Sequence, residues 1–186
     1  MSLLDKIGDE RIWLDFLEYK KSKNHLNKKE LAELEDFISD KGYSEIALNI
    51  KKPLYNFSTP TKSLVNKVNS QKKRVVYTFS FNENYVLKLL SWLLYKYDDS
   101  HCENCYSFRQ NFGVKKAIGK IIRTNNIDNM FGYKLDISDY FNSVDVEILL
   151  CVLKEVIKDD LELYGFLKNI LTTDKSVLGD KLITEK

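Results

Sequence analysis

Apolar residues return every three or four positions near the start of the chain, where Ile12, Leu14, Phe16, Leu17 and Tyr19 form one stripe of a helix. Asn27 followed by Glu30 is a capping-box pair that opens a helix over residues 28–39, and Gly42 closes it. A third, short helix is predicted over residues 44–51, ahead of Pro53. From Leu64 the period changes. Residues 64–68 and 74–79 are short β-prone runs separated by Asn69-Ser70-Gln71-Lys72-Lys73, which reads as a hairpin. Asn82 then caps a long helix over residues 83–97, with Val86, Leu87, Leu89, Leu90, Leu93 and Leu94 on a wide apolar face. A lone hairpin is marginal in water, so this helix is expected to cover it. Residues 114–124 form a further helix that is cationic on its exposed side. A short strand over residues 131–137, a helix from a Ser143 cap to Lys158, and a helix over residues 161–171 complete the pattern.

Helices, hairpin, helices, strand, helices is the order of an α+β fold, mostly helical, and not of alternating βα units. Composition agrees: 44% hydrophobic and 30% charged residues with seven Gly and two Pro exclude a disordered or collagen-like chain. The 186 residues can remove roughly 70% of their extended surface from water, enough for one substantial core or two small ones. Three cysteines and no charged-then-apolar leader fit a reducing, cytoplasmic setting. No apolar run reaches the roughly 20 residues that cross a bilayer.

The net charge of +2 conceals an asymmetry. Residues 1–50 carry 8 Lys/Arg against 11 Asp/Glu, residues 51–135 carry 15 against 5, and residues 136–186 carry 6 against 11, so the segments stand at −3, +10 and −5. Clustered cations gain from displacing the counterions condensed on a phosphate backbone, so the middle segment is either a polyanion-binding surface or a solvated lysine-rich face.

The richest stretch for chemistry is Gly132-Tyr133-Lys134-Leu135-Asp136-Ile137-Ser138-Asp139-Tyr140-Phe141-Asn142-Ser143-Val144. A strand ending in a carboxylate places an acid where a hard cation could be held, because Mg²⁺ takes one or two carboxylates plus substrate phosphate oxygens. The architectural alternative is that Asp136 ends the strand and Asp139 caps the next helix.

Lys134-Leu135-Asp136-Ile137-Ser138-Asp139-Tyr140-Phe141 resembles the first catalytic-carboxylate motif of reverse transcriptases, in the form used by bacterial retron, group II intron and defence-associated enzymes. Two further blocks stand upstream in the order that family requires. Lys73-Arg74-Val75-Val76-Tyr77-Thr78-Phe79, followed by Asn84 and the helix through Leu90, resembles the fingers hairpin that leads into a helix. Tyr106-Ser107-Phe108-Arg109, then Val114 and Ala117-Ile118, resembles the next block, where an aromatic-Phe-Arg turn precedes a helix. The resemblance implies an N-terminal helical extension over residues 1–52, fingers over 53–130 and the start of a right-hand polymerase palm over 131–186. It implies that Asp136 binds catalytic Mg²⁺ together with the Ile137 backbone carbonyl, and that Phe141 stacks under the incoming sugar and rejects a 2′-hydroxyl. Arg74 and either Lys67 or Lys73 would contact the triphosphate, where positioned cations neutralise phosphate charge. Arg109 would support the template or brace the fingers, while Lys115, Lys116, Lys120 and Arg123 would face nucleic-acid backbone, which positions without reading sequence.

A two-metal site needs more than one carboxylate. The family supplies the others from a later Tyr-x-Asp-Asp hairpin, which this sequence lacks; Tyr95-Lys96-Tyr97-Asp98-Asp99 has another spacing and reads as a helix end. The chain is therefore expected to be the N-terminal part of a longer RNA-directed DNA polymerase, inactive by itself. In the complete enzyme the partners would be an RNA template, a DNA or RNA primer and dNTPs, with a protein hydroxyl as another route to priming and a role in a retroelement or in antiviral defence. The alternative of another class is a non-catalytic nucleic-acid-binding module, and a third is an interaction protein whose cations meet an acidic partner. Cys102-Glu103-Asn104-Cys105 has the spacing of a zinc or redox half-site, but no second pair follows and no zinc is expected.

Overall fold

Ser2 begins the folded chain by accepting a hydrogen bond from Leu4 N, while the Asp5 carboxylate accepts from Ser2 N, and this reciprocal cap opens a 3₁₀ helix over Leu3–Gly8. The computed structural model describes residues 1–23, 26–52, 55–66, 73–138, 140 and 143–184. They fall into two units, Met1–Leu93 with Ile157–Lys186, and Leu94–Val156.

In the first unit, α1 (Glu10–Lys23), α2 (Lys28–Ser39), α3 (Ser44–Asn49) and α4 (Phe81–Leu93) surround an aromatic core. Trp13 is fully buried, stacks on Tyr43 at 5.1 Å and donates its indole N–H to Ile7 O. Phe37 stacks on Tyr85 at 4.9 Å. Trp13, Phe16 and Leu17 are the buried positions of α1, whereas Leu14 of the expected stripe faces solvent. A helix face is set by what it packs against, and here the bulk of Trp13 takes the place facing α2.

The Asn27–Glu30 capping box forms as expected and starts α2 at Lys28. Its other end differs from the usual glycine stop. Lys41, not Gly42, adopts the left-handed conformation, at φ 51°. Lys41 N donates to Ile38 O and Gly42 N to Phe37 O, the two bonds of a Schellman motif. Gly42 is needed for another reason: a Cβ there would lie 2.6 Å from the Phe37 ring.

β1 (Thr61–Asn66) and β2 (Lys73–Thr78) pair antiparallel, Thr61 opposite Thr78 and Asn66 opposite Lys73. The hairpin is thus present, and its connecting residues lie outside the described ones. The helix that follows starts at Phe81, so Asn82 lies inside it and not at its cap; Ser80 O accepts from Asn84 N, and the helix ends at Leu93. It does not bury the hairpin: Leu64, Val65, Val75 and Tyr77 are exposed. Support comes edge-on instead. β3 (Lys175–Leu178) pairs parallel to β1 through Thr61 and Val177, and β4 (Lys181–Thr184) pairs antiparallel to β3 across a turn with Gly179 at φ 62°, giving the order β2-β1-β3-β4. The protein is accordingly α+β with a mixed four-stranded open sheet. α7 (Leu161–Leu171) packs Phe166 edge-on against Phe57, 5.2 Å between centroids.

The second unit runs from a 3₁₀ helix over Leu94–Ser100 through a turn-rich segment to α5 (Val114–Ile122) and α6 (Val146–Val156). Asp145, not Ser143, caps α6 by accepting from Glu147 N and Ile148 N. The strand expected over residues 131–137 does not form; this stretch has no paired neighbour, and Phe131, Tyr133, Leu135 and Ile137 are all exposed. A strand is stable only when an adjacent strand takes its N–H and C=O groups, and the described residues supply none here. No helix among the described residues is long and apolar enough to cross a membrane.

Candidate nucleic-acid interface

Arg109 organises the loop ahead of α5. Its Nε donates to Asp98 Oδ2 at 3.2 Å, and its Nη1 donates to Cys102 O at 3.3 Å and Cys105 O at 3.5 Å. The guanidinium lies 4.0 Å above the Phe112 ring, and the side chain is only 9% exposed. Arg offers a planar fork that can bond and stack at once, which a Lys could not reproduce. Its place is that of a brace. It fixes Phe112, and Phe112 in turn receives the Lys116 ammonium at 4.6 Å and leans against Tyr106 at 6.0 Å.

Chain direction reverses at Phe108 and Asn111, both in the left-handed backbone region at φ 58° and 59°. Gly113 then caps α5 with φ 150° and ψ −176°, a conformation open to glycine and strained for other residues. Phe108 is 89% exposed, so no packing recovers the cost of its backbone.

The cationic residues of α5 converge as the sequence suggests. Lys115, Lys116, Lys120 and Arg123 line an open cleft of about 810 Å³ with Tyr106, Phe112 and Gly119. From Lys115 to Arg123 the helix rises about 12 Å. Lys115 and Lys116 occupy the first turn, where the helix dipole is already positive and an acidic residue would be favoured; none is present. That placement costs helix stability and raises the positive potential at the cleft mouth. Lys120 differs from its neighbours. Its ammonium donates to Glu103 Oε1 at 3.2 Å and Asn104 Oδ1 at 2.6 Å, and the bond to Glu103 holds its pKa above the usual lysine value. Lys115, Lys116 and Arg123 have no carboxylate partner among the described residues. The opposite face of α5, with Val114, Ile118, Ile121 and Ile122, is exposed as well.

Asp136 lies in the exposed, unpaired stretch, with Ile137 beside it, also exposed. Among the described residues no three His, Cys, Asp or Glu side chains stand close enough to hold a metal ion, at Asp136 or at Cys102 and Cys105. The described residues do not by themselves assemble a two-metal site. Lys73 and Arg74 are exposed at the start of β2, opposite Asn66 and Val65, and belong to the first unit. Lys67 and Phe141 lie outside the described residues, as does Asp139.

Phe112 and Tyr106 have a part in the cleft that the charge pattern did not assign them. Aromatic residues interleaved with the Lys/Arg run from 106 to 123 are the signal that could have found them. Comparison with protein-family models, curated proteins and solved structures finds no match to this chain.

Proposed function

We propose that the Leu94–Val156 unit binds nucleic-acid backbone through the α5 cleft. The observation that carries this reading is the gathering of Lys115, Lys116 and Arg123, none paired with a carboxylate among the described residues, with Lys120 on one helix face beside aromatic walls. Cations so placed take phosphate oxygens without reading bases, while Tyr106 can meet the flat face of an unpaired nucleotide and Phe112, with Arg109 and Lys116 on its ring, holds the cleft wall in place. Four phosphate contacts on a single strand correspond to a log-log salt slope of about −2.8.

Joined to the ordered motifs around Arg74, Arg109 and Asp136, this binding makes the chain the N-terminal part of an RNA-directed DNA polymerase of the reverse-transcriptase kind, in a cytoplasmic retroelement or antiviral system. RNA template, a DNA or RNA primer and dNTPs are the partners in that reading. Asp136 would be one ligand of the polymerase's Mg²⁺, whose chemistry is to neutralise charge on the transferring phosphate. The second reading is a non-catalytic nucleic-acid-binding module, in keeping with the exposure of Asp136 outside any group of three metal-ligating side chains among the described residues.

Anisotropy of labelled single-stranded RNA across a salt series tests the binding. Replacing Lys115, Lys116 and Arg123 together by Ala is expected to flatten the slope by about 2. A wild-type affinity indifferent to salt, or a triple variant with the parental slope, removes the cleft from function. Template-directed dNTP incorporation by the full gene product separates the two readings: loss on Asp136→Ala supports the polymerase, and no incorporation by either protein supports the module.

A further inference from the structure

We propose that Cys102 and Cys105 are a reversible dithiol–disulfide pair whose oxidation holds Lys120 away from bound nucleic acid. The second half of this proposal rests on the backbone-binding reading above; the first half does not.

Cys105 N donates to Cys102 O at 3.0 Å, which closes a four-residue turn with a cysteine at each end. The ends of such a turn have Cα atoms within about 7 Å, the range a disulfide bridges. Cys102 is exposed and Cys105 half-buried, its Sγ 3.6 Å from Ser107 O. No third His, Cys, Asp or Glu side chain groups with them among the described residues.

All four residues of the turn are tied to one of two cations. Arg109 Nη1 bonds the carbonyls of both cysteines, and Lys120 Nζ bonds the side chains of Glu103 and Asn104 between them. The turn therefore grips the same lysine that lines the α5 cleft. A cross-link between its ends holds the shape in which Glu103 and Asn104 retain Lys120. Without the cross-link the turn can yield Lys120 to a phosphate.

The oxidant is a small-molecule disulfide, with oxidised glutathione as the probe. The exposed Cys102 thiolate attacks one glutathione sulfur, forms a mixed disulfide and releases one glutathione thiolate. The Cys105 thiolate then attacks Cys102 Sγ, forming the Cys102–Cys105 bond and releasing the second glutathione. Two protein thiols have lost two protons and two electrons, and the small disulfide has become two thiols. Disulfides formed in a reducing compartment are typically transient and redox-sensing, which suits such a switch.

The test uses the full chain carrying Cys151→Ser, equilibrated in glutathione buffers from reducing to oxidising, quenched by alkylation and read by peptide mass. The expected result is an intrachain Cys102–Cys105 disulfide that dithiothreitol reverses. Only glutathione adducts or intermolecular dimers at the oxidising end overturn the pair, as does a reduced protein that carries near-stoichiometric zinc. Salt titration of labelled single-stranded RNA on both forms tests the coupling. Oxidation should flatten the log-log slope by about 0.7 and weaken binding about fourfold at about 0.15 M salt, the share of one phosphate contact. Cys102→Ser should abolish that redox dependence. Equal slopes in the two forms overturn the coupling. RNA binding by neither form defeats the backbone-binding reading and the coupling with it, while the mass change still decides the disulfide.

Discussion

Replacing Glu83 with Ala removes a buried carboxylate, 6% exposed, that accepts from four donors. Ser58 N lies at 2.6 Å, Ser80 N at 3.1 Å and Ser80 Oγ at 2.6 Å, and Ser58 Oγ donates as well. Through them Glu83 joins the segment leading into β1 to the first turn of α4. A hydrogen bond to a charged group contributes about 1.5–3 kcal/mol, but the two hydroxyls can rotate to other acceptors or to water once the carboxylate is gone. The main loss then comes from the two backbone N–H groups, so Glu83→Ala should cost about 3 kcal/mol, a fall in Tm of about 6–12 °C. Glu83→Gln keeps the volume but turns an amide donor toward donors, and should cost about 2 kcal/mol. Urea unfolding followed by tryptophan fluorescence reads this directly, because Trp13 and Trp92 both lie in the unit that Glu83 holds together.

The pH dependence supplies an independent check. Burial opposes ionisation of Glu83, yet the hydrogen bonds from Ser58 and Ser80 outweigh it and hold the carboxyl below its ordinary value of 4.5. A lowered folded pKa means stabilisation present in full above the unfolded value and lost as pH falls through the folded one. The gap between wild type and Glu83→Gln should be widest near neutral pH and shrink below about pH 4. A Glu83→Ala cost under about 1 kcal/mol near neutral pH, or a gap to Gln that stays constant into acid, would refute this account.

Asp160→Ala should destabilise the same unit by about 2–3 kcal/mol in urea, since this buried carboxylate caps α7 at Leu163 N and also accepts from Ser2 Oγ and Leu3 N, each at 2.7 Å. Gly42→Ala and Lys41→Gly should move Tm in opposite directions. The first drives a methyl into the buried Phe37 ring at about 1–3 kcal/mol, and the second relieves a left-handed lysine by up to about 1 kcal/mol. Phe108→Asn should raise the stability of the Leu94–Val156 unit by up to about 1 kcal/mol, because asparagine tolerates the left-handed backbone and the exposed ring packs on nothing. Hydrogen exchange of α5 amides reads that change, and unaltered or faster exchange would count against the strain.

Most of what was legible in the sequence is local. The capping box of Asn27 and Glu30, α7, the paired strands of the hairpin and the cationic face of α5 each depend on residues within a turn or two of one another, so their spacing alone carries the information. The β3–β4 hairpin was legible too, in the Gly179-Asp180 pair between two short apolar runs, although it did not enter the expected pattern. The alternation over residues 131–137 shows the opposite limit: it records which way side chains would point if a neighbouring strand were there, and the described residues provide none. Asp160 meeting Ser2, Glu83 meeting Ser58 and β1 lying beside β3 through Thr61 and Val177 join residues 25 to 158 positions apart. No period or motif encodes those meetings, because they exist only once separate hydrophobic faces have closed on a common core. The same holds for the cleft. The sequence determined that four cations share a helix face; only the folded loop decided that Lys120 is held by Glu103 and Asn104 while Lys115, Lys116 and Arg123 have no carboxylate partner among the described residues.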